Sequence, residues 1–191
     1  MNAEKTTIPG LLIIHPDVFG DNRGWFTESY HQQKYKDLGI DTHFIQDNHS
    51  FSAQKGTLRG LHFQKGNKAQ SKLVRCVAGS LWDVVVDLRK GSPTYKHWFG
   101  IELSAQNHLQ FFIPKGFAHG FLTLSDNVEI EYKVDEFYSK EHDGGIRYDD
   151  PEVNIPWDEL LKNSEPVLSD KDKQLKYLSQ QDLDFTYKEM E

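Results

Sequence analysis

The chain has 191 residues, 37% of them hydrophobic, and a formal net charge of −7. That length supports a substantial core. The acidic balance, with no Lys/Arg-rich run and no basic helix face, argues against a nucleic-acid partner. No apolar run approaches bilayer length, so no membrane association is expected. The single cysteine, Cys76, cannot form an internal disulfide and suits a reducing cytosol. Met1 to Thr7 is polar and lacks a signal-peptide core. A soluble cytoplasmic protein with one domain over residues 1–191 is expected.

Leu11 to Ile14 is an apolar run before Pro16 and reads as a first strand. Val18 to Gly24 is a turn rich in Gly, Asp and Asn. Trp25 to Tyr30 reads as an aromatic strand, and His31 to Leu38 as a short helix with Gly39 as its C-cap. Phe44 to Ser50 is a strand ending in polar residues. Asp47 and Asn48 there suit either a hydroxylated ligand or a turn.

Lys55 to Gln64 follows: a glycine turn, then a strand carrying Arg59 and His62. Arg59 offers a planar, permanently charged fork for a phosphate or carboxylate. His62 gains or loses a proton near neutral pH. Taken alone, the pair reads more readily as a surface arginine and a hydrogen-bonded core histidine than as a site. On a regular strand residues three apart face opposite ways. If both touch one ligand, the strand must bend, with Gly60 the expected place.

Gln64 to Gln70 is a polar loop, Lys72 to Gly79 a strand, and Leu81 to Leu88 the next strand. In the latter, Trp82, Val84, Val86 and Leu88 form one unbroken apolar face. The other face mixes Leu81 and Val85 with Asp83 and Asp87, so it meets either solvent or a polar cavity. Trp98 to Leu103, Leu109 to Ile113 and Val128 to Val134 are further strands. With strands recurring about every eight to twelve residues between Gly, Pro and Asn, the chain reads as an antiparallel sandwich or barrel. The tail holds a helical turn at Asp158 to Leu161, and from about residue 173 a charged, loosely packed end is expected.

Two features resemble the cupin barrel: His62 on an early strand, and Pro114-x-Gly116-x-x-His119, a turn that aims a histidine inward. The fold this implies is all-β, a cupin-like antiparallel jelly-roll barrel with a few short helices. Many cupins bind a metal through His-x-His. Here Leu61-His62-Phe63 supplies one imidazole, too few for a typical three-ligand site, so no metal or cofactor is expected.

A longer series of pieces is more specific. Phe19-Gly20-Asp21-x-Arg23-Gly24, Gln46-Asp47-Asn48-His49-Ser50, Leu58-Arg59-Gly60-Leu61-His62-Phe63-Gln64 and Lys72-Leu73-Val74-Arg75 come first. Val86-Asp87-Leu88-Arg89, Ser92-Pro93-Thr94, Ile113 to Phe121, Tyr132-Lys133 and Leu168-Ser169-x-Lys171-Asp172 follow. In this order, over most of the chain, they resemble the dTDP-4-dehydrorhamnose 3,5-epimerase family. Trp25, Phe112 and Tyr148 depart from its pattern by aromatic exchange.

The resemblance implies cofactor-free inversion of carbons 3 and 5 of dTDP-4-keto-6-deoxyglucose, on the route to dTDP-rhamnose. Both carbons flank the ketone, so loss of either proton gives an enolate. His62 matches the base, Asp172 the carboxylate that orients it, Lys72 the cation at the ketone oxygen and Tyr132 the proton donor. Arg23, Glu28, Gln46, Asp47, Asn48, Arg59, Lys72, His119, Tyr138 and Lys171 match substrate contacts, and Asp143 does so more loosely. Tyr138 matches a ring that stacks on thymine. The family's homodimer is implied too, with residues from a neighbouring subunit able to enter the site. Still open are a single-site 3- or 5-epimerase of another deoxysugar, a non-catalytic sugar-nucleotide-binding barrel, and a metal-dependent oxygenase, which the missing His-x-His disfavours.

Overall fold

The computed structural model describes residues 1–188. Its strands are β1 (Asn2–Lys5), β2 (Leu12–His15), β3 (Val18–Asp21), β4 (Gly24–Thr27), β5 (Gln46–Ser52), β6 (Leu58–Gln64) and β7 (Lys72–Ala78). Then come β8 (Ser80–Asp87), β9 (Trp98–Ser104), β10 (Gln110–Ile113), β11 (Phe117–Thr123), β12 (Val128–Val134) and β13 (Asp143–Gly145). Short helices occupy α1 (Gln32–Asp37), α2 (Trp157–Leu161) and α3 (Asp170–Lys173).

The strands form an antiparallel jelly roll. One sheet has the order β1-β2-β10-β7-β12-β5 and the other β13-β6-β11-β8-β9. Period-two alternation sets the inside and the outside. On β12, Val128, Ile130, Tyr132 and Val134 share the inward face, and Glu129, Glu131 and Lys133 the outward one. Inward residues of both sheets meet in one cluster: Val74, Cys76, Phe111 and Ile130 against Leu81, Val85, Phe117 and Phe121.

β8 is buried on both faces, which resolves the open question about its odd positions. Leu81, Asp83 and Val85 point between the sheets. Val84, Val86 and Leu88 point outward, yet they too are fully buried. Their cover is the C-terminal part of the chain, with Val153, Ile155, Trp157, Leu178, Leu183 and Phe185 in the same cluster. The expectation of a loose end from residue 173 is therefore wrong as far as residue 188. Three apolar residues spaced along a charged segment are enough to strap it to the sheet. Phe185 meets the Phe63 ring edge-on at 5.8 Å, and Thr186 pairs with Lys90. Charge density obscured this in the sequence, because the polar residues between the anchors remain in solvent.

Two other expectations change. The polar N-terminus forms the edge strand β1, paired with β2 from Asn2–His15 to Lys5–Leu12. Val18 to Asp21 is strand rather than turn and pairs with β4, so the aromatic strand ends at Thr27 instead of Tyr30. This β3–β4 hairpin pairs with neither large sheet. The helix forms as expected over α1. His31 accepts from the Lys34 backbone at its start, and Gly39, at φ +91°, follows the Leu38 cap. Tyr35 fastens α1 to the outer face of the six-stranded sheet among Ile14, Leu73 and Phe112.

Candidate active site

Between the sheets lies a cavity of about 540 Å³ that reaches the surface. Its walls bring together Arg59, His62, Lys72, His119, Tyr132, Lys171 and Asp172. The volume lies within the range of small-molecule sites. His62 and His119 come from β6 and β11 of one sheet, and Lys72 and Tyr132 from β7 and β12 of the other.

Arg59 and His62 reach the same cavity because β6 bends between them. His119 pairs with His62, but Phe121 pairs with Arg59, so two residues of β11 match three of β6. Gly60 sits at this irregularity with φ +126°, and a Cβ there would lie 2.5 Å from Gly120 Cα. The arginine is steadied by Ser52 Oγ at 3.1 Å and the Phe51 carbonyl at 2.9 Å.

His62 Nε2 lies 2.6 Å from Asp172 Oδ1. An ionised carboxylate only accepts, so Nε2 carries the proton and Nδ1 keeps the free lone pair. Asp172 is held in turn by Ser169. The Ser169 hydroxyl donates to Oδ2 at 2.7 Å, and its oxygen accepts from the Asp172 backbone at 3.1 Å as the N-cap of α3. Burial opposes ionisation of Asp172, but the hydrogen bonds from His62 and Ser169 outweigh it and hold the carboxyl below its usual range.

A second pair lies deeper. His119 Nε2 is 3.0 Å from both carboxylate oxygens of Asp83, which is fully buried. Burial pushes the His119 pKa down against the pull of Asp83, and the charges of Lys72 and His62 push the same way as burial. Asp83 is the site residue missing from the sequence reading. Its signal was an aspartate at an inward position of an otherwise apolar alternation.

Lys72 feels burial first and then the charges of Asp83 and Asp143, with no hydrogen bond among the influences on it. Burial wins and lowers its pKa to about 8. Burial raises the Tyr132 pKa, and the nearby Arg59 charge only partly offsets this. Both groups are protonated at neutral pH. At the rim, Asp143 Oδ2 accepts from Tyr138 Oη at 3.2 Å and from Lys171 Nζ.

The remaining expected contacts are not all gathered here. Gln46 and Asn48 share a face of β5 with Ser50, which lines the cavity, and Gln46 Nε2 donates to Asn48 Oδ1 at 2.8 Å. Asp47 faces the other way and pairs with Lys133 at 2.8 Å, in an outer groove with Arg75 and Glu131. Arg23 and Glu28 lie outside the cavity. Arg23 is on the β3–β4 hairpin, with its side chain 86% exposed and paired to Asp21 at 2.6 Å, and Glu28 pairs with Lys34.

The family model described as dTDP-4-dehydrorhamnose 3,5-epimerase matches residues 5–180. An enzyme of that name from Shigella flexneri is 53% identical over 173 residues, covering 90% of this chain and 93% of its own. A crystal structure of the Bacillus anthracis enzyme with TDP and pyrophosphate bound is 50% identical, with a TM-score of 0.88 over 93% of this chain and 99% of that one. A Legionella pneumophila dTDP-6-deoxy-D-glucose-3,5-epimerase in complex with dTDP-4-keto-L-rhamnose is 44% identical, with a TM-score of 0.92 over 98% of this chain and 99% of that one. With its residue series, its jelly roll and these likenesses in accord, the chain belongs to the dTDP-4-dehydrorhamnose 3,5-epimerase family.

Proposed function

We propose that this chain inverts carbons 3 and 5 of dTDP-4-keto-6-deoxyglucose to give dTDP-4-keto-rhamnose, as a cytoplasmic enzyme using no cofactor. One observation carries the reading. The imidazole–carboxylate pair stands on one wall of the cavity, and a half-buried phenol stands on the strand wall of the opposite sheet. Inversion at a carbon needs a base on one side and an acid on the other.

His62 takes the proton alpha to the ketone on Nδ1, while Nε2–H stays on Asp172, whose charge stabilises the imidazolium. The electron pair left on carbon moves to the ketone oxygen. Lys72 meets that charge with its ammonium, supplied from a site where burial makes it stronger than in water. Tyr132 then protonates the opposite face, and proton exchange with solvent resets both groups. Arg59 and Lys171 bind the diphosphate. Tyr138 stacks on thymine for about 1–3 kcal/mol.

Replacing His62 by Ala is expected to slow solvent-deuterium entry at both carbons by about a hundred- to ten-thousand-fold while leaving nucleotide binding intact. Tyr132→Phe should still lose protons to solvent but complete no inversion. Near-normal turnover in His62→Ala, or normal inversion in Tyr132→Phe, would remove that residue from its role.

Lys72 stabilises the enolate only when protonated. The pH profile of kcat/KM should therefore hold up to about 8, the pKa of Lys72, and fall above it. Lys72→Arg should carry that limb to higher pH, because a guanidinium stays charged. A limb that does not move would assign it to another group.

The β3–β4 hairpin supports a homodimer. Phe19, Trp25 and Phe26 are 62%, 60% and 64% exposed. Covering each such ring contributes roughly 1.5–3 kcal/mol, and a second copy is the partner whose cavity Arg23 and Glu28 could enter, since they lie outside the cavity of their own chain. Sedimentation should give twice the chain mass, reduced to one by Trp25→Glu with Phe26→Glu; a monomeric wild type would refute the pairing.

A further inference from the structure

Asp172 and His62 are 110 residues apart, and α3, which carries Asp172, is a single turn. The dyad's hydrogen bond tolerates little movement of that turn, so something must register it against β6. The segment from Gly145 to Arg147 lies between them. Gly145 pairs with His62, and Ile146 exchanges backbone hydrogen bonds with Leu61 at 2.9 and 3.2 Å. On its other side Ile146 bridges to Lys176, and the Arg147 N–H donates to the Lys176 carbonyl at 3.1 Å. A Cβ at Gly145 would lie 2.6 Å from the Leu61 carbonyl and 3.0 Å from Leu175, so the packing there is close.

The Arg147 side chain completes the link. Nε and Nη2 hold Asp149 through two bonds of 2.7 Å, which fixes the plane of the fork. The remaining arm, Nη1, donates to the Lys173 carbonyl at 3.2 Å, the last residue of α3. The Tyr177 ring covers the guanidinium at 5.1 Å. Ser169 secures the start of the turn and Arg147 its end.

We propose that Arg147 is a positioning residue: with Asp149 as its brace, it fixes the C-terminal end of α3 and thereby the Asp172 carboxylate on His62. The inference rests on the dyad reading above. Lysine carries the charge but has no fork with which to hold both Asp149 and Lys173.

The test compares Arg147→Lys, Asp149→Asn and Asp172→Asn with wild type, each folded by circular dichroism, in turnover of dTDP-4-keto-6-deoxyglucose and in the far-downfield proton NMR signal of the His62–Asp172 hydrogen bond. Arg147→Lys should lose about 10- to 100-fold in kcat, the scale of a sub-ångström to ångström misplacement, with the downfield signal broadened or lost. Asp149→Asn should fall between it and wild type, and it serves as the decisive variant if Arg147→Lys does not fold. Wild-type kcat in both variants, or reduced kcat with the downfield signal intact, overturns the proposal while leaving the dyad standing. Wild-type behaviour in Asp172→Asn overturns the dyad, and the positioning role with it.

Discussion

The hydrogen bond between Asp172 and His62 sets the terms for much of this structure. It joins a strand in the middle of the chain to a single helical turn near its end, across 110 residues of sequence. Ser169 must cap that turn, and the segment after it must return to the sheet. The C-terminal strap does so, with Leu178, Leu183 and Phe185 sharing a core with Leu61 and Phe63 on either side of His62. A charge-assisted pair of this kind is roughly twice as strong as a neutral one, but its use here depends on placement more than on strength.

The cavity is an unusual interior, because a jelly roll of this size would ordinarily fill the space between its sheets with apolar side chains. Here the filling changes along the strands. Phe111, Leu81 and Val85 close the apolar part, His119, Lys72 and Tyr132 line the open part, and Asp83 is buried behind His119. Isolated charges there would be costly. The cost is limited by pairing where geometry allows, as in Asp83 with His119, and shows as a lowered pKa where it does not, as in Lys72. The Lys72 ammonium is disfavoured by burial and supported by the charges of Asp83 and Asp143.

Much of this was legible in the sequence, for physical reasons that differ between residues. Strand alternation showed an unbroken apolar face on β8, since a period of two is written directly in residue type. The bend at Gly60 followed from strand geometry once Arg59 and His62 were taken to touch one ligand, and β6 carries its irregularity there. The resemblance named His62, Lys72, Tyr132 and Asp172, which share one cavity. What the sequence hid was tertiary. The packed strap looked like a charged tail, because its few anchors are separated by solvated residues. β1 was missed because an edge strand need not be apolar. Asp83 was visible as an oddity without a partner until His119 arrived beside it. Asp47 turned outward because its neighbours Gln46 and Asn48 occupy the inward positions of β5.

The central claim is that one base and one opposed acid serve two carbons flanking the same ketone. Proton NMR of dTDP-4-keto-6-deoxyglucose with the wild-type protein in deuterium oxide tests it most directly. Deuterium entering at both carbon 3 and carbon 5, with the configuration inverted at each, is the expected result. Exchange confined to one carbon, or none at either with nucleotide binding intact, would contradict it.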